Sequence, residues 1–148
     1  MRLDDYRWLT SEAGKESLRL AETLSLPLLR LTEKLRTEVG DARARLLLDQ
    51  LALRRRAEAK FSFPRRMFFT EKGLEQATDE SIAAVKALRF APFAKVADLC
   101  CGIGGDLLAL AKETEVTGIE RDPVCVTLAS ANLLEAGFPH EHASVAEA

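Results

Sequence analysis

The pattern of apolar and polar positions changes character partway along the chain. Through the first sixty residues leucines recur at the spacing of one helix face. Leu18, Leu20 and Leu24 belong to a predicted helix that Thr10 or Ser11 can cap. A second predicted helix, in "SLPLLRLTEKLRTEV", has Ser25 as N-cap, Pro27 in its first turn and Gly40 as its terminating residue. Asp41 is then expected to cap a longer helix bearing Leu46, Leu47, Leu51 and Leu53 as its apolar stripe. From Phe61 the pattern turns aromatic, and Pro64 breaks it, so "KFSFPRRMFFT" reads as an extended segment or loop. Two short helices follow, with Thr70 and Asp79 as their caps.

After Pro92 the period changes again. "KVADLCC" reads as a strand, residues 105–114 as a helix, "EVTGIE" as a second strand, and 123–136 as a helix capped by Asp122 and ended by Gly137. "ASVAEA" begins a third strand. Strands alternating with helices of this length predict βαβ units and a parallel sheet. A parallel sheet needs several strands and cover on both faces. With about three strands in view, the chain is expected to be the N-terminal part of a longer protein, with a sheet edge open to self-association.

Composition narrows the class. An apolar fraction of 47% beside 30% charged residues is that of an ordinary globular protein. A net charge of −2 excludes a chain that is basic throughout but not a local basic patch. No apolar run approaches the roughly 20 residues that span a bilayer, and the acid-bearing N-terminus has no signal-peptide core. No membrane partner is expected. Three cysteines without metal-ligand spacing predict no metal site and an intracellular, cytoplasmic setting.

The chemistry concentrates in "VADLCCGIGGDLLALAKETEVTGIERDP". Gly102, Gly104 and Gly105 sit where a strand turns into a helix, so the backbone can bend sharply and approach a ligand. The helix that follows presents free N–H groups at its N-terminus. Sixteen residues beyond Gly104, Glu120 falls at the end of the second strand, where a carboxylate accepts hydrogen bonds from both ribose hydroxyls of a nucleoside cofactor. A dinucleotide fingerprint wants G-x-G-x-x-G. Here Cys100 stands in the place of its first glycine and Asp106 close to where a pyrophosphate would lie. A negative side chain there suits a ligand with a charged amino group better than a phosphate.

"DLCCGIGGD" resembles motif I of the class I S-adenosylmethionine-dependent methyltransferases, and "GIERDP" resembles the ribose-binding turn that follows it in that superfamily. The cysteine-glycine form is most similar to RNA methyltransferases, including the trimethylguanosine synthase group. DNA cytosine methyltransferases have a related form. "RRMFFTEKGLEQATDESIAAV" resembles the segment before motif I in the RNA group, and also resembles bacterial methyltransferases carrying a THUMP-like segment.

The resemblance covers about residues 60 to 148. The leucine periodicity gives an all-helical extension over 1–60, and the resemblance implies, over 61–148, the N-terminal half of a Rossmann-like methyltransferase domain, an α/β fold. It implies S-adenosylmethionine as cofactor, with Asp98 facing its methionine end, Cys100, Gly102 and Gly104 forming the turn against it, and Glu120 on the ribose. It further places Thr70 at the methionine carboxylate and Glu147 at the adenine amino group. The superfamily's catalytic motif, N-P-P-[FY] or D-P-x-R, has no counterpart here. No catalytic residue is therefore named, and the 148-residue chain is expected to transfer no methyl group by itself.

Each signal has a plainer reading. Asp106 and Asp122 fit simple helix N-terminal acids, Cys101 fits a buried packing residue, and His140 and His142 fit a polar loop. Arg54, Arg55, Arg56, Lys60, Arg65 and Arg66 fall within thirteen residues. They make either a solvated helix face or a nucleic-acid patch, RNA by the resemblance, with Phe61, Phe63 and Phe68 available to stack on bases. Two other functions compete: a non-catalytic nucleotide- or partner-binding module, and an NAD(P)-dependent oxidoreductase, which Cys100 and Asp106 disfavour.

Overall fold

The sheet is parallel throughout, and its order follows the chain. β1 (Lys95–Leu99) pairs with β2 (Glu115–Glu120), which pairs with β3 (Ala143–Glu147). The computed structural model describes residues 2–148. The crossovers are α7 (Gly105–Glu113) and α8 (Pro123–Glu135). Right-handed crossovers with strands in the order 1-2-3 put both helices on one face. Burial follows from that: Val116, Gly118 and Ala143 are buried, whereas Ala97 and Leu99 face solvent, Leu99 at 72% exposure. The far face of β1 therefore has no cover among the described residues. Just before β1 in the chain, Ile82, Val85, Leu88 and Phe93 are also exposed.

The N-terminal segment folds as α1 (Leu3–Thr10), α2 (Glu12–Thr23), α3 (Leu28–Val39) and α4 (Asp41–Ala57). α1 packs against α8, and one contiguous core runs from Leu9, Leu18 and Leu47 to Leu107 and Leu128. The helical segment and the α/β segment thus share their interior. The short α5 (Glu71–Gln76) and α6 (Glu80–Ala87) bring the chain up to β1. Their predicted caps are in place, with Thr70 accepting from Gly73 N and Asp79 from Ser81 N, each at 2.9 Å.

Several boundaries differ from expectation for physical reasons. α1 is a separate short helix closed by Ser11, which caps α2. Only Leu9 of its eight residues is buried, so its sequence carries little periodic signal. Ser25 is not a cap; Pro27 holds that position. A cap at Ser25 would require Leu26 to be helical directly before proline, which the pyrrolidine ring disfavours. Asp41 is the first residue of α4 and not its cap, because Gly40 at φ 82° serves as junction between α3 and α4. β1 ends at Leu99, so the two cysteines belong to the turn.

The segment Met67–Phe69 runs through the centre of the molecule and is held by three buried polar side chains. Gln50 of α4 donates to the Phe69 carbonyl at 2.6 Å and accepts from its N–H at 3.0 Å. Arg54 donates from Nε to the Met67 carbonyl at 3.0 Å. Asn132 of α8 accepts from Phe68 N at 2.7 Å and donates to the carbonyls of Phe68 and Ile103 at 3.1 and 2.9 Å. Ile103 lies inside the glycine turn. The turn is thereby tied to the extended segment through one asparagine.

Candidate functional site

The turn after β1 is built on three left-handed residues: Cys100 at φ 62°, Gly102 at 57° and Gly104 at 90°. Two are glycine, for which this region costs little. Cys100 is the one non-glycine residue with positive φ among those described, and its Cβ makes the conformation cost about 1 kcal/mol or more. Gly118 of β2 lies beneath the turn, where an added Cβ would stand 2.8 Å from Cys101 Sγ. A strand glycine marks such a close approach, and sequence reasoning passed over it.

Glu120 joins the two strand ends. One carboxylate oxygen accepts from Arg121 N and Asp122 N at 2.8 and 3.0 Å, and the other from Gly102 N at 2.9 Å. Burial alone would raise its pKa, but the N–H groups of Asp122, Gly102 and Arg121 outweigh burial and lower it. A carboxylate offers about four acceptor positions, and three are taken. Room is left for one ribose hydroxyl at Oε2, where the sequence suggested two. Glu147 sits opposite Glu120 in register and is exposed, so both acids share the C-terminal end of the sheet.

Asp98, on the helix-covered face of β1, has a buried Oδ2 with no hydrogen-bond partner among the described residues. Burial raises its pKa to about 6, the charge of Asp106 adds to this, and Lys86 offsets it in part. A carboxyl raised in this way costs folding stability once ionised. The cost is absent below the ordinary pKa near 3.8, grows between there and about 6, and is complete above that. Asp106, the negative side chain that the sequence set against a phosphate, has a cationic partner of its own. Lys86 Nζ lies 2.6 and 2.7 Å from its two oxygens, only the second contact being well angled, and Thr78 donates to it at 2.8 Å. What disfavours a phosphate here is therefore Asp98, which lacks such a partner. Lys86 and Thr78 carried no sequence signal, since their proximity arises from α6 packing on α7.

Thr70 caps α5, and Gly73 of that helix abuts Ile103: a Cβ there would stand 2.5 Å from the Ile103 side chain. The start of α5 thus lies against the glycine turn. Cys101 is buried, and burial with the charges of Asp98 and Glu120 pushes its thiol up to about 12, which makes it inert. His142 is not a plain loop residue: its Nε2 lies 2.7 Å from the Ala111 carbonyl and its ring stacks on Phe138.

The basic run does not form one face. Arg54 is buried, with Nη1 2.8 Å from Glu22 and its guanidinium over the Phe68 ring. Lys60 donates to the carbonyls of Leu74, Glu75 and Ala77 at 2.9, 3.0 and 2.9 Å and so closes the C-terminus of α5. Arg56 pairs with Glu71 and Glu75 at 3.1 and 3.5 Å. Arg55, Arg65 and Arg66 are exposed, the last beside Glu135. Phe61 and Phe68 are buried and unavailable for stacking, leaving Phe63 partly accessible. The run is amphipathic in space: its inward members stitch elements together, which a list of charges cannot reveal.

Among the described residues no cluster of histidine, cysteine or carboxylate side chains is disposed to hold a metal ion, and no helix is long and apolar enough to cross a membrane. Compared with family models, with curated proteins and with solved structures, the chain matches none.

Proposed function

We propose that this chain forms the cofactor-binding half of a class I S-adenosylmethionine-dependent methyltransferase whose acceptor is RNA. The observation that supports this reading best is the meeting, at one end of a parallel sheet, of a left-handed glycine turn, a carboxylate locked onto it, and a second carboxylate with an orphaned buried oxygen. Each fits a different part of the cofactor. Glu120 has one acceptor position left for a ribose hydroxyl, and its three backbone partners fix the orientation in advance. Asp98 needs a cationic donor for Oδ2, and an α-amino group meets that need directly or through water. The Thr70 hydroxyl accepts from Gly73 N, so its own O–H is available to a carboxylate. Glu147, opposite Glu120 in register and exposed, would accept from an exocyclic amine beyond the ribose.

The cofactor supplies a methyl group on a sulfonium centre, and transfer by in-line displacement asks the protein mainly to position the two reactants. Without N-P-P-[FY] or D-P-x-R the chain has no acceptor-positioning motif, so the reading is cofactor binding without turnover by these residues alone. An oxidoreductase is a weaker fit, because Asp98 and Cys100 sit where a pyrophosphate would need donors and a glycine. Calorimetry with S-adenosylhomocysteine and with NAD separates the readings. Binding of the first and not the second supports the proposal, and preference for NAD overturns it.

A further inference from the structure

We propose that single-stranded RNA is held in a pair of adjoining cavities that meet at Arg66, and not on the outer face of α4. The inference rests on the nucleic-acid acceptor of the reading above but is independent of the cofactor. The first cavity, about 360 Å3, opens between α2 and the turn Pro64–Arg66. α2 supplies Lys15 and Arg19, one helical turn apart, and the turn supplies Arg65 and Arg66. Arg54 and Phe68 form its floor.

Two carboxylates, Glu12 and Glu135, also line it, against five cationic side chains. Lys15 is occupied by both of them, at 2.9 and 2.8 Å, and Arg19 by Glu16 at 2.7 Å. Arg65 has no ion pair among the described residues. Arg66 reaches the Glu135 carboxylate only at 3.9 Å while donating to the Glu135 carbonyl. The surplus of positive charge is therefore on the turn, at Arg65 and Arg66, and an anion entering the cleft is met there.

The second cavity, about 200 Å3, shares Arg66 with the first. Its walls include Phe63 and Phe138, with Leu108 and Ala136 completing an apolar slot and Lys112 at its edge. Lys112 is drawn toward Glu80 at 3.5 Å. An apolar slot with aromatic walls beside a cationic cleft is the arrangement that an unpaired nucleotide needs: its base has a ring face to stack on and its phosphate a guanidinium. An acidic protein segment would use the cleft but has no call on the slot. Asn132, which holds the Ile103 carbonyl of the glycine turn, lies about one turn before Glu135 on α8. The same helix thus carries the cleft wall and the support of the cofactor turn. The helical extension gains a role it otherwise lacks, since α2 makes one side of the cleft.

The test is fluorescence anisotropy with a labelled eight-nucleotide oligouridylate and the 148-residue chain at several salt concentrations. One or two bound phosphates give a slope of log K against log salt of about −0.7 to −1.4. Arg65→Glu should weaken binding at least tenfold, and Phe63→Ala roughly tenfold through the lost stacking. Arg55→Glu, which lines neither cavity, should change affinity less than twofold. Circular dichroism melts confirm that each variant is folded, and Arg19→Glu provides a second exposed probe of the cleft. The proposal is overturned if no RNA binds, or if Arg55→Glu costs as much as Arg65→Glu. It is equally overturned if inorganic polyphosphate of matched charge competes as well as the oligonucleotide. None of these outcomes alters S-adenosylhomocysteine calorimetry, so this inference and the cofactor reading fail separately.

Discussion

Replacing Asn132 by alanine should cost more stability than any surface change in the molecule. Its side chain is fully buried and makes three hydrogen bonds, to Phe68 N, Phe68 O and Ile103 O. Truncation leaves an N–H and two carbonyls without partners in the interior. Each such group costs about 1–3 kcal/mol. The three share one side chain and relax together, so the sum is expected near the low end, about 3–5 kcal/mol. Domain stability runs from about 5 to 15 kcal/mol, so the variant stays folded at low temperature with a sharply lower urea midpoint. Equilibrium urea unfolding followed by circular dichroism gives the difference, with Ser130→Ala on the same helix as a control expected within about 0.5 kcal/mol. A loss below about 1 kcal/mol for Asn132→Ala would refute the view that this residue ties the glycine turn to the extended segment.

Other consequences follow from the site and the open sheet face. Asp98→Asn should stabilise the chain at pH 7.5 relative to pH 4, where the native carboxyl is already protonated. The raised pKa corresponds to about 3 kcal/mol, and solvent screening of a partly exposed group reduces this to roughly 1–1.5 kcal/mol; a variant no more favoured at pH 7.5 than at pH 4 contradicts the burial of that charge. Cys100→Gly should raise stability by about 0.5–1 kcal/mol through relief of the left-handed conformation, and a lowered melting temperature would contradict that strain. The bare face and unpaired edge of β1 should make the chain self-associate; Leu99→Glu should shift sedimentation toward monomer, and a wild-type chain already monomeric at high concentration would rule the association out.

Much of the architecture was legible because it rests on local chemistry. Pro92, the glycine cluster and Gly137 punctuate the βαβ region, and Thr70, Asp79 and Asp122 cap the helices they precede. The errors came from competition between neighbouring residues, as where Pro27 displaces Ser25 or Gly40 displaces Asp41. The proximity of three candidate residues carried by the chain path was legible too: Gly102 donates to Glu120, and Asp98 shares their end of the sheet. What sequence could not show is which way a charged side chain turns. Arg54 and Lys60 look like their neighbours in the basic run, yet one is buried against Glu22 and the other closes a helix. Asn132, Gln50 and Lys86 had no sequence signal, because their partners are distant along the chain and brought close only by packing.

The central claim is that the carboxylate of Glu120, oriented by the N–H of Gly102, holds the ribose of S-adenosylmethionine. Titration calorimetry of S-adenosylhomocysteine into the wild-type chain and into Glu120→Ala tests it most directly, with a thermal melt to show that the variant is folded. One charge-assisted hydrogen bond at the remaining acceptor position is worth about 1.5–3 kcal/mol. The account predicts a roughly 10- to 100-fold loss of affinity in the variant. Equal affinity in the two proteins, or no binding to the wild-type chain, would contradict it.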